Sequence, residues 1–221
     1  MRCFNFEKRI YMLLADIGNT HFHIYNGKEV IHLPHDEAIK KYSNQKLLYI
    51  SVSMALSKKL NKIKKWQDIG AKLHIKGEYP TMGIDRKALS LSKKNGVFID
   101  AGSAITVDIV RNGKYRGGFI LPGIRAYLQS YANISPALKV ELNQNISLKK
   151  LPITTQDSIS YGIIASIKAL ISNHKHHAKL YFSGGDGEFL SSFFKEAIYD
   201  ERLLFQGIQK GLKRHKKRKQ K

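Results

Sequence analysis

The sequence predicts an α/β fold of two lobes, each a hairpin-rich sheet with flanking helices, and three observations carry that expectation. One local grammar occurs twice: an apolar run enters a loop holding Asp and Gly, a second run follows, then an Asn-Gly turn and a third run. Between and after the two copies, apolar residues recur at three- and four-residue steps, the signature of helices packed on a sheet. Finally, 221 residues with 43% apolar content suffice for one large domain or two lobes of about 100 residues, each with its own core.

In order, residues 12–17 read as a strand running into Gly18-Asn19-Thr20, residues 21–25 alternate as a second strand, and Asn26-Gly27 is a hairpin turn signal. Residues 36–42 read as a helix, 47–52 as a buried strand, and 53–69 as a longer helix with Leu56, Leu60, Ile63 and Trp66 on one stripe. The second copy starts at 96–99, passes through Asp100-Ala101-Gly102-Ser103, and continues as 104–110, Asn112-Gly113 and 115–120. Asp16 and Asp100 stand 84 positions apart and the two Asn-Gly turns 86 apart, so the repeat keeps its spacing. Pro122-Gly123 precedes a helix over 124–131. Residues 155–173 form a long helix with Ile159, Ile163, Ile167 and Leu170 on one face. A strand over 179–182 then feeds Ser183-Gly184-Gly185-Asp186-Gly187, and a helix is expected over 188–197. The expected lobes are residues 12–94 and 95–209, followed by a disordered basic tail at 210–221, with a cleft that brings the two Asp-x-Gly loops face to face.

Lys and Arg number 38 against 17 Asp and Glu, a net charge of +21, and eight of the basic residues fall in the last twelve positions. Such a run is ordinarily solvated chain. It carries no aromatic residue for base stacking, so no specific nucleic-acid partner is expected, only salt-sensitive adhesion to polyanions. The single cysteine, Cys3, excludes a disulfide scaffold. No apolar stretch approaches the ~18 residues of a membrane span, and Arg2, Glu7, Lys8 and Arg9 break up the leading segment. A soluble, cytoplasmic protein with no membrane partner is the expectation.

Glycine-bearing loops expose backbone N–H groups, and Asn19, Thr20 and Ser103 add donors beside them, a combination suited to phosphate oxygens. Asp16 and Asp100 would repel phosphate directly but can hold a cation that bridges to it. The loop 183–187, between strand and helix, offers a third close backbone approach. Each Asp-x-Gly loop taken singly also serves as a plain turn with an Asx hydrogen bond. Neither a P-loop nor a dinucleotide-binding glycine fingerprint occurs. In Gly83-Ile84-Asp85-Arg86, the carboxylate can accept a proton from a substrate hydroxyl while the guanidinium grips an anion, although the same residues can simply start a surface helix. His174, His176 and His177 lack acidic or cysteine neighbours in sequence, which speaks against a metal centre.

Six segments together resemble the ordered motif set of type III pantothenate kinases: Asp16-Ile17-Gly18-Asn19-Thr20, Gly83-Ile84-Asp85-Arg86, Asp100 to Asp108, Gly117 to Gly123, Thr155 to Ile159, and Ser183-Gly184-Gly185-Asp186. The likeness spans about residues 12–207. It implies duplicated RNase H-like lobes of the actin-like, sugar-kinase and chaperone ATPase superfamily with an ATP cleft between them, and transfer of the ATP γ-phosphate to the 4′-hydroxyl of pantothenate, the first step of coenzyme A biosynthesis. By resemblance, Asp16, Ile17, Gly18, Asn19, Thr20, His21, Phe22, His23 and Ser103 would meet ATP, which arrives with Mg²⁺. Asp100 would ligate a monovalent cation, K⁺ or NH4⁺. Tyr79, Gly83, Ile84, Asp85, Arg86 and Thr155 would meet pantothenate, with Asp85 as the base. Tyr79 stands only four residues ahead of Gly83, and Ser103 and Ser183 stand where the family commonly has threonine. Members of the family are homodimers whose substrate site borrows surface from the second subunit. Two other readings stay open from sequence: a basic nucleic-acid-binding module on a degenerate nucleotide fold, and another ATPase of the same superfamily.

Overall fold

The structure is a computed structural model that describes residues 12–220; the leading segment with Cys3, and Lys221, lie outside the described residues. By compactness the described chain forms two units, one of residues 12–73, 83–85 and 211–220, the other of 74–82 and 86–210.

The first unit is built on β1 (Leu13–Ile17), β2 (His21–Tyr25), β3 (Val30–Pro34), α1 (His35–Tyr42), β4 (Leu47–Ser51), α2 (Ser57–Leu60) and β5 (Trp66–Asp68). Its sheet has the order β3-β2-β1-β4-β5, with β1, β2 and β3 antiparallel in succession and β4 and β5 parallel to β1. Three residues connect β1 to β2, closed by the Gly18 N–H donating to the His21 carbonyl at 3.1 Å. In the next turn Asn26 Oδ1 accepts from the N–H groups of Lys28 and Glu29 at 2.9 and 3.0 Å, while Gly27 takes φ 97°. Phe22, Ile24, Tyr42, Leu47, Tyr49, Leu60 and Trp66 fill one core.

The helix expected over 53–69 is a single turn, α2, followed by strand β5. Five lysines between 58 and 65 set like charges at helical steps with no acid among them. The edge of the sheet offers Trp66 a better place: it pairs in register with Leu47, and its indole N–H donates to the Tyr42 carbonyl at 3.1 Å. Leu60 and Trp66 are buried as their spacing suggested, but not by one helix.

Helix α3 (Ile84–Leu91) follows, and then β6 (Gly96–Ala101), β7 (Ala104–Arg111), β8 (Lys114–Pro122), α4 (Ile124–Ile134), α5 (Thr155–Lys175), β9 (Leu180–Ser183), α6 (Gly187–Ser191), β10 (Ile198–Tyr199) and α7 (Leu203–Lys219). The second sheet reads β8-β7-β6-β9-β10. β6 and β7 pair antiparallel, β7 and β8 antiparallel, and β9 and β10 run parallel to β6, which reproduces the first sheet strand for strand. The repeated hairpin is thus one end of a duplicated five-stranded unit. Asn112 and Gly113 both have positive φ, 53° and 70°, as a two-residue type I′ turn between right-twisted strands requires. Helix α5 is capped by Thr154, whose side chain accepts from the Asp157 N–H at 3.2 Å. Its Ile159, Ile163, Ile164, Ile167 and Ile171 share a core with Val97, Ile99, Ile105 and Val107 of the sheet, while Leu170 is only half-buried.

Two further expectations are corrected. The helix over 188–197 is only the short α6, because Glu196 turns the chain at φ 63° and Ile198 pairs with Tyr181. The basic segment expected as a disordered tail continues α7 to Lys219. Leu203, Leu204, Phe205 and Ile208 bury one side of its first turns, the long straight side chains that follow have good helix propensity, and cations near the C-terminus suit the helix dipole.

Candidate functional site

In the first unit, Asp16 ends its strand beside Ile17, and residues 18–20 make the turn. Ile17 and Phe22 are fully buried in the core, so within 16–23 the side chains of Asn19, Thr20 and His21 face outward and those of Asp16 and His23 are half-buried. Phe22 and Ile17 can meet a ligand only through backbone. Gly18 is fixed from outside the loop by His35, whose Nε2 lies 3.1 Å from the Gly18 carbonyl. Asp16 and His23 are partners across β1 and β2, and His23 and His32 across β2 and β3, so the three side chains form one row on one face. The Nδ1 atoms of His23 and His32 are 2.6 Å apart, and burial, with His32 and His21 near by, holds the His23 imidazole down at about 4. His23 is therefore neutral at physiological pH.

The second unit gathers three loops that lie far apart in sequence. Asp100 and Ala101 end β6, and Gly102 N–H closes the turn on the Ala104 carbonyl at 3.1 Å. The Gly123 N–H donates to the Ser103 carbonyl at 3.1 Å, and a Cβ on Gly123 would stand 2.6 Å from that oxygen. From the other side the Asp186 N–H donates to the Ala101 carbonyl at 3.0 Å. Gly184, at φ +86°, approaches so closely that a Cβ there would meet Asp100 Oδ1 at 2.7 Å. The start of α4, the Asp100 loop and the 183–187 loop are thus packed backbone to backbone, with Ser103 exposed and open space over Gly185. The N–H groups of Gly102, Gly123 and Asp186 are spent in closing the loops on one another, so a ligand would meet this surface at the exposed tips, Ser103 and Gly185. Thr106 lies directly across the β6–β7 ladder from Asp100, and Ser183 across β6–β9, which sets three oxygen-bearing side chains in one row. The Thr106 hydroxyl is buried without a hydrogen-bond partner. A carboxylate with hydroxyl oxygens beside it fits a hard monovalent cation better than it fits a soft metal.

The Gly83-Ile84-Asp85-Arg86 segment opens α3, with Asp85 in the first turn and half-buried. Arg86 is only 5% exposed and meets Asp108, which is fully buried. Arg86 Nε donates to both carboxylate oxygens at 3.1 and 3.2 Å and Nη2 to Oδ1 at 2.6 Å. Nη2 also donates to the Tyr115 hydroxyl at 3.2 Å and Nη1 to the Tyr79 hydroxyl at 2.7 Å. Burial and the adjacent Asp108 push the Tyr115 phenol up to about 12, so it stays protonated. The short spacing between Tyr79 and Gly83 does not keep the ring from Arg86. Tyr79 is 37% exposed, and it is the part of this network that reaches solvent. Asp108 and Tyr115 were given no role by sequence reasoning. The available signal was an acid among Ile105, Val107 and Val110, since a buried carboxylate in a strand demands a cation.

Thr155, the first residue of α5, lines a hollow of about 500 Å³ with Tyr131, Leu138, Ile153, Thr154 and Ser158; none of Gly83 to Arg86 lines it. Ile153 is 99% exposed, and Leu151 and Ile134 are largely exposed as well. Another hollow, about 520 Å³, is bounded by Lys175, His176, His177, Lys179, Lys195 and Glu196 and holds none of the expected site residues. Among the described residues no helix is long and apolar enough to cross a membrane.

The model of the type III pantothenate kinase family matches residues 46–177. A type III pantothenate kinase of Campylobacter jejuni strain RM1221 is 42% identical over 202 residues, covering 91% of this chain and 97% of that protein. One from Helicobacter hepaticus is 40% identical, over 92% and 99%. A solved structure from Campylobacter jejuni, described as a candidate transcriptional activator of the Baf family, is 39% identical with a TM-score of 0.84, over 93% of this chain and all of that one. The activator of 2-hydroxyisocaproyl-CoA dehydratase from Clostridium difficile, with bound ADPNP, has a TM-score of 0.55 at 11% identity, over 95% and 97%, a likeness of fold alone. It accords with the duplicated sheets.

Proposed function

The chain belongs to the type III pantothenate kinase family, and we propose that it transfers the γ-phosphate of ATP to the 4′-hydroxyl of pantothenate, giving 4′-phosphopantothenate and ADP at the start of coenzyme A biosynthesis. The observation that carries this reading is the convergence of the Asp100, Gly123 and Gly184 backbones beneath the exposed Ser103 and Gly185, in a chain whose relatives bear that name over nearly their full length.

The roles follow from the chemistry. Phosphoryl transfer passes through a loose transition state, so positioning and neutralisation of charge supply most of the acceleration. Asp85 accepts the proton of the 4′-hydroxyl as its oxygen attacks the γ-phosphorus. The bond from that phosphorus to the β,γ-bridging oxygen breaks, and its electron pair leaves with ADP. The turn from Asp16 to His23 and the exposed Ser103 hold ATP phosphates through N–H and O–H donors. Asp100, with the hydroxyl of Thr106 beside it, is the place for K⁺ or NH4⁺, which would neutralise phosphate charge; Mg²⁺ accompanies the nucleotide. Tyr79, with Gly83 and Ile84, faces the carboxylate of pantothenate, and Arg86, buried against Asp108, supports it by donating to the Tyr79 hydroxyl.

Thr155 completes the pantothenate site from a second copy of the chain. The support is its surroundings: an open hollow lined by Tyr131, Leu138 and the exposed Ile153, apolar surface that a homodimer would cover. We assign the enzyme to the cytoplasm, the compartment of its nucleotide substrate, and retain residues 12–94 and 95–209 as its two duplicated lobes.

The test is ATP consumption with and without pantothenate, in K⁺ or NH4⁺ and then in Na⁺ alone. Turnover should require pantothenate and fall in Na⁺. Asp85→Asn should lower kcat by about 10²–10⁴-fold with nucleotide affinity retained. ATP hydrolysis indifferent to pantothenate, or an Asp85→Asn enzyme at the parent rate, would overturn the assignment.

A further inference from the structure

The charge excess is not used by the kinase reading, and its densest part is not loose chain. The segment Lys213-Arg214-His215-Lys216-Lys217-Arg218-Lys219 forms the last two turns of α7 and is exposed throughout except at His215, which is half-buried. The helix is anchored upstream, where Leu203, Leu204, Phe205 and Ile208 are buried and Gly207 lies against the Ala88 carbonyl. Beyond that anchor it projects six Lys or Arg side chains. No acid occurs after Glu201, and among the described residues no ion pair engages the six.

Like charges at three- and four-residue steps, such as Lys213 with Lys216 and Lys217, or Arg214 with Lys217 and Arg218, oppose the helix that holds them. A polyanion relieves that repulsion and gains from it. The arrangement also selects among polyanions. At about 100° per residue the six cations cover the cylinder broadly, leaving only the side of Gly211, Leu212 and His215, which is buried or half-buried. A flat anionic membrane could engage only one side of such a helix, and there is no apolar stripe after Leu212 to enter it. A groove with phosphates on both walls engages two flanks of the exposed face at once. The major groove of B-form DNA, about 12 Å wide, takes an α-helix with its side chains. With no residue in the segment suited to one base edge above another in a fixed register, recognition is of backbone charge.

We propose that the C-terminal part of α7 is a binding element for duplex DNA, sequence-independent, in which Lys213, Arg214, Lys216, Lys217, Arg218 and Lys219 neutralise phosphates on both walls of the major groove.

Fluorescence anisotropy of a labelled 20-base-pair duplex against the full chain, over a KCl series, reads this directly. Two variants separate charge from helix. Replacing all six cations by Gln keeps helix and length and removes charge; His215→Pro keeps every Lys and Arg and breaks the helix. The sixfold Gln variant should bind at least ~10-fold more weakly near 0.1 M KCl, and its plot of log K against log salt should be shallower by roughly 3–5. His215→Pro should also lose duplex affinity, by several-fold. Two unrelated duplexes should bind alike, and phosphatidylserine vesicles should bind the parent less tightly than DNA. The proposal fails if the Gln variant keeps the parent's affinity and slope, if His215→Pro binds the duplex as the parent does, or if the vesicles hold the parent more tightly than the duplex.

Discussion

Arg86 and Asp108, 22 positions apart, meet in a fork with both carboxylate oxygens engaged and both residues shielded from water. The pair fixes the first turn of α3, where Asp85 stands, to the middle of β7. Planar two-point contact is something guanidinium does and an ammonium does not. Gly118 makes room for it: a Cβ there would come within 2.7 Å of Asp108 Oδ1 and 3.0 Å of Arg86 Nη2. Removing one partner strands the other charge in the interior. Asp108→Ala should therefore cost about 3–5 kcal/mol, whereas an Arg86→Met, Asp108→Leu double variant should recover most of that loss. Urea denaturation of the three proteins measures both; an Asp108→Ala protein as stable as the parent would show that the pair is not what secures the helix.

Gly184 supplies a second prediction. Its φ of +86° is strained for any residue with a side chain, and an added Cβ would press on Asp100 Oδ1 at 2.7 Å. Gly184→Ala should lose about 1–3 kcal/mol of stability from the backbone alone. It should also displace the carboxylate proposed to hold the cation, so that K⁺ no longer stimulates turnover. Gly185→Ala, at a position where a Cβ meets nothing, is the control and should leave stability within about 0.5 kcal/mol of the parent.

The hairpins were legible because each is specified locally: alternation sets the strand faces and Asn-Gly sets the turn. The parallel strands β5 and β10 were not. Each is short, at a sheet edge, and stabilised by partners distant in sequence, so that Trp66 and Ile198 read as parts of helices. The loops around Asp16, Asp100 and Gly184 could be singled out as candidates from glycine and hydroxyl content. That Gly123 closes on Ser103 could not, because a backbone contact between two loops leaves no residue-type signature. Asp108 and Tyr115 were hidden for a related reason, since their role is to partner Arg86 across the fold.

Thr106 tests the proposed cation site independently of catalysis. Its hydroxyl is buried, unpaired and opposite Asp100, an arrangement that costs stability when nothing coordinates it. In Na⁺ or choline buffers, Thr106→Val should be as stable as the parent or up to about 1 kcal/mol more stable. In KCl the order should change: the parent should gain a concentration-dependent rise in melting temperature, as binding to the folded state requires, and the variant should gain less. Thermal melts over a KCl series provide the reading without any turnover. Equal K⁺ responses in the two proteins would remove Thr106 from the site.

His23 ties stability to pH. Its folded value of about 4 lies below the ordinary histidine value of 6.5, so the unfolded chain binds the proton more readily. For a group depressed in this direction the folded state has its full advantage above pH 6.5 and loses it as pH falls toward 4; the whole span corresponds to about 3 kcal/mol. Most carboxylates remain ionised between pH 6.5 and 5, which isolates the histidine contribution in that window. The urea midpoint of the parent should fall across it, and that of His23→Gln should fall distinctly less. Because His32 faces the same imidazole at 2.6 Å, His32→Gln should also reduce the pH dependence, by relieving one of the three causes that hold His23 neutral while leaving burial and His21 in place. A His23→Gln slope as steep as the parent's would assign the acid sensitivity to other groups.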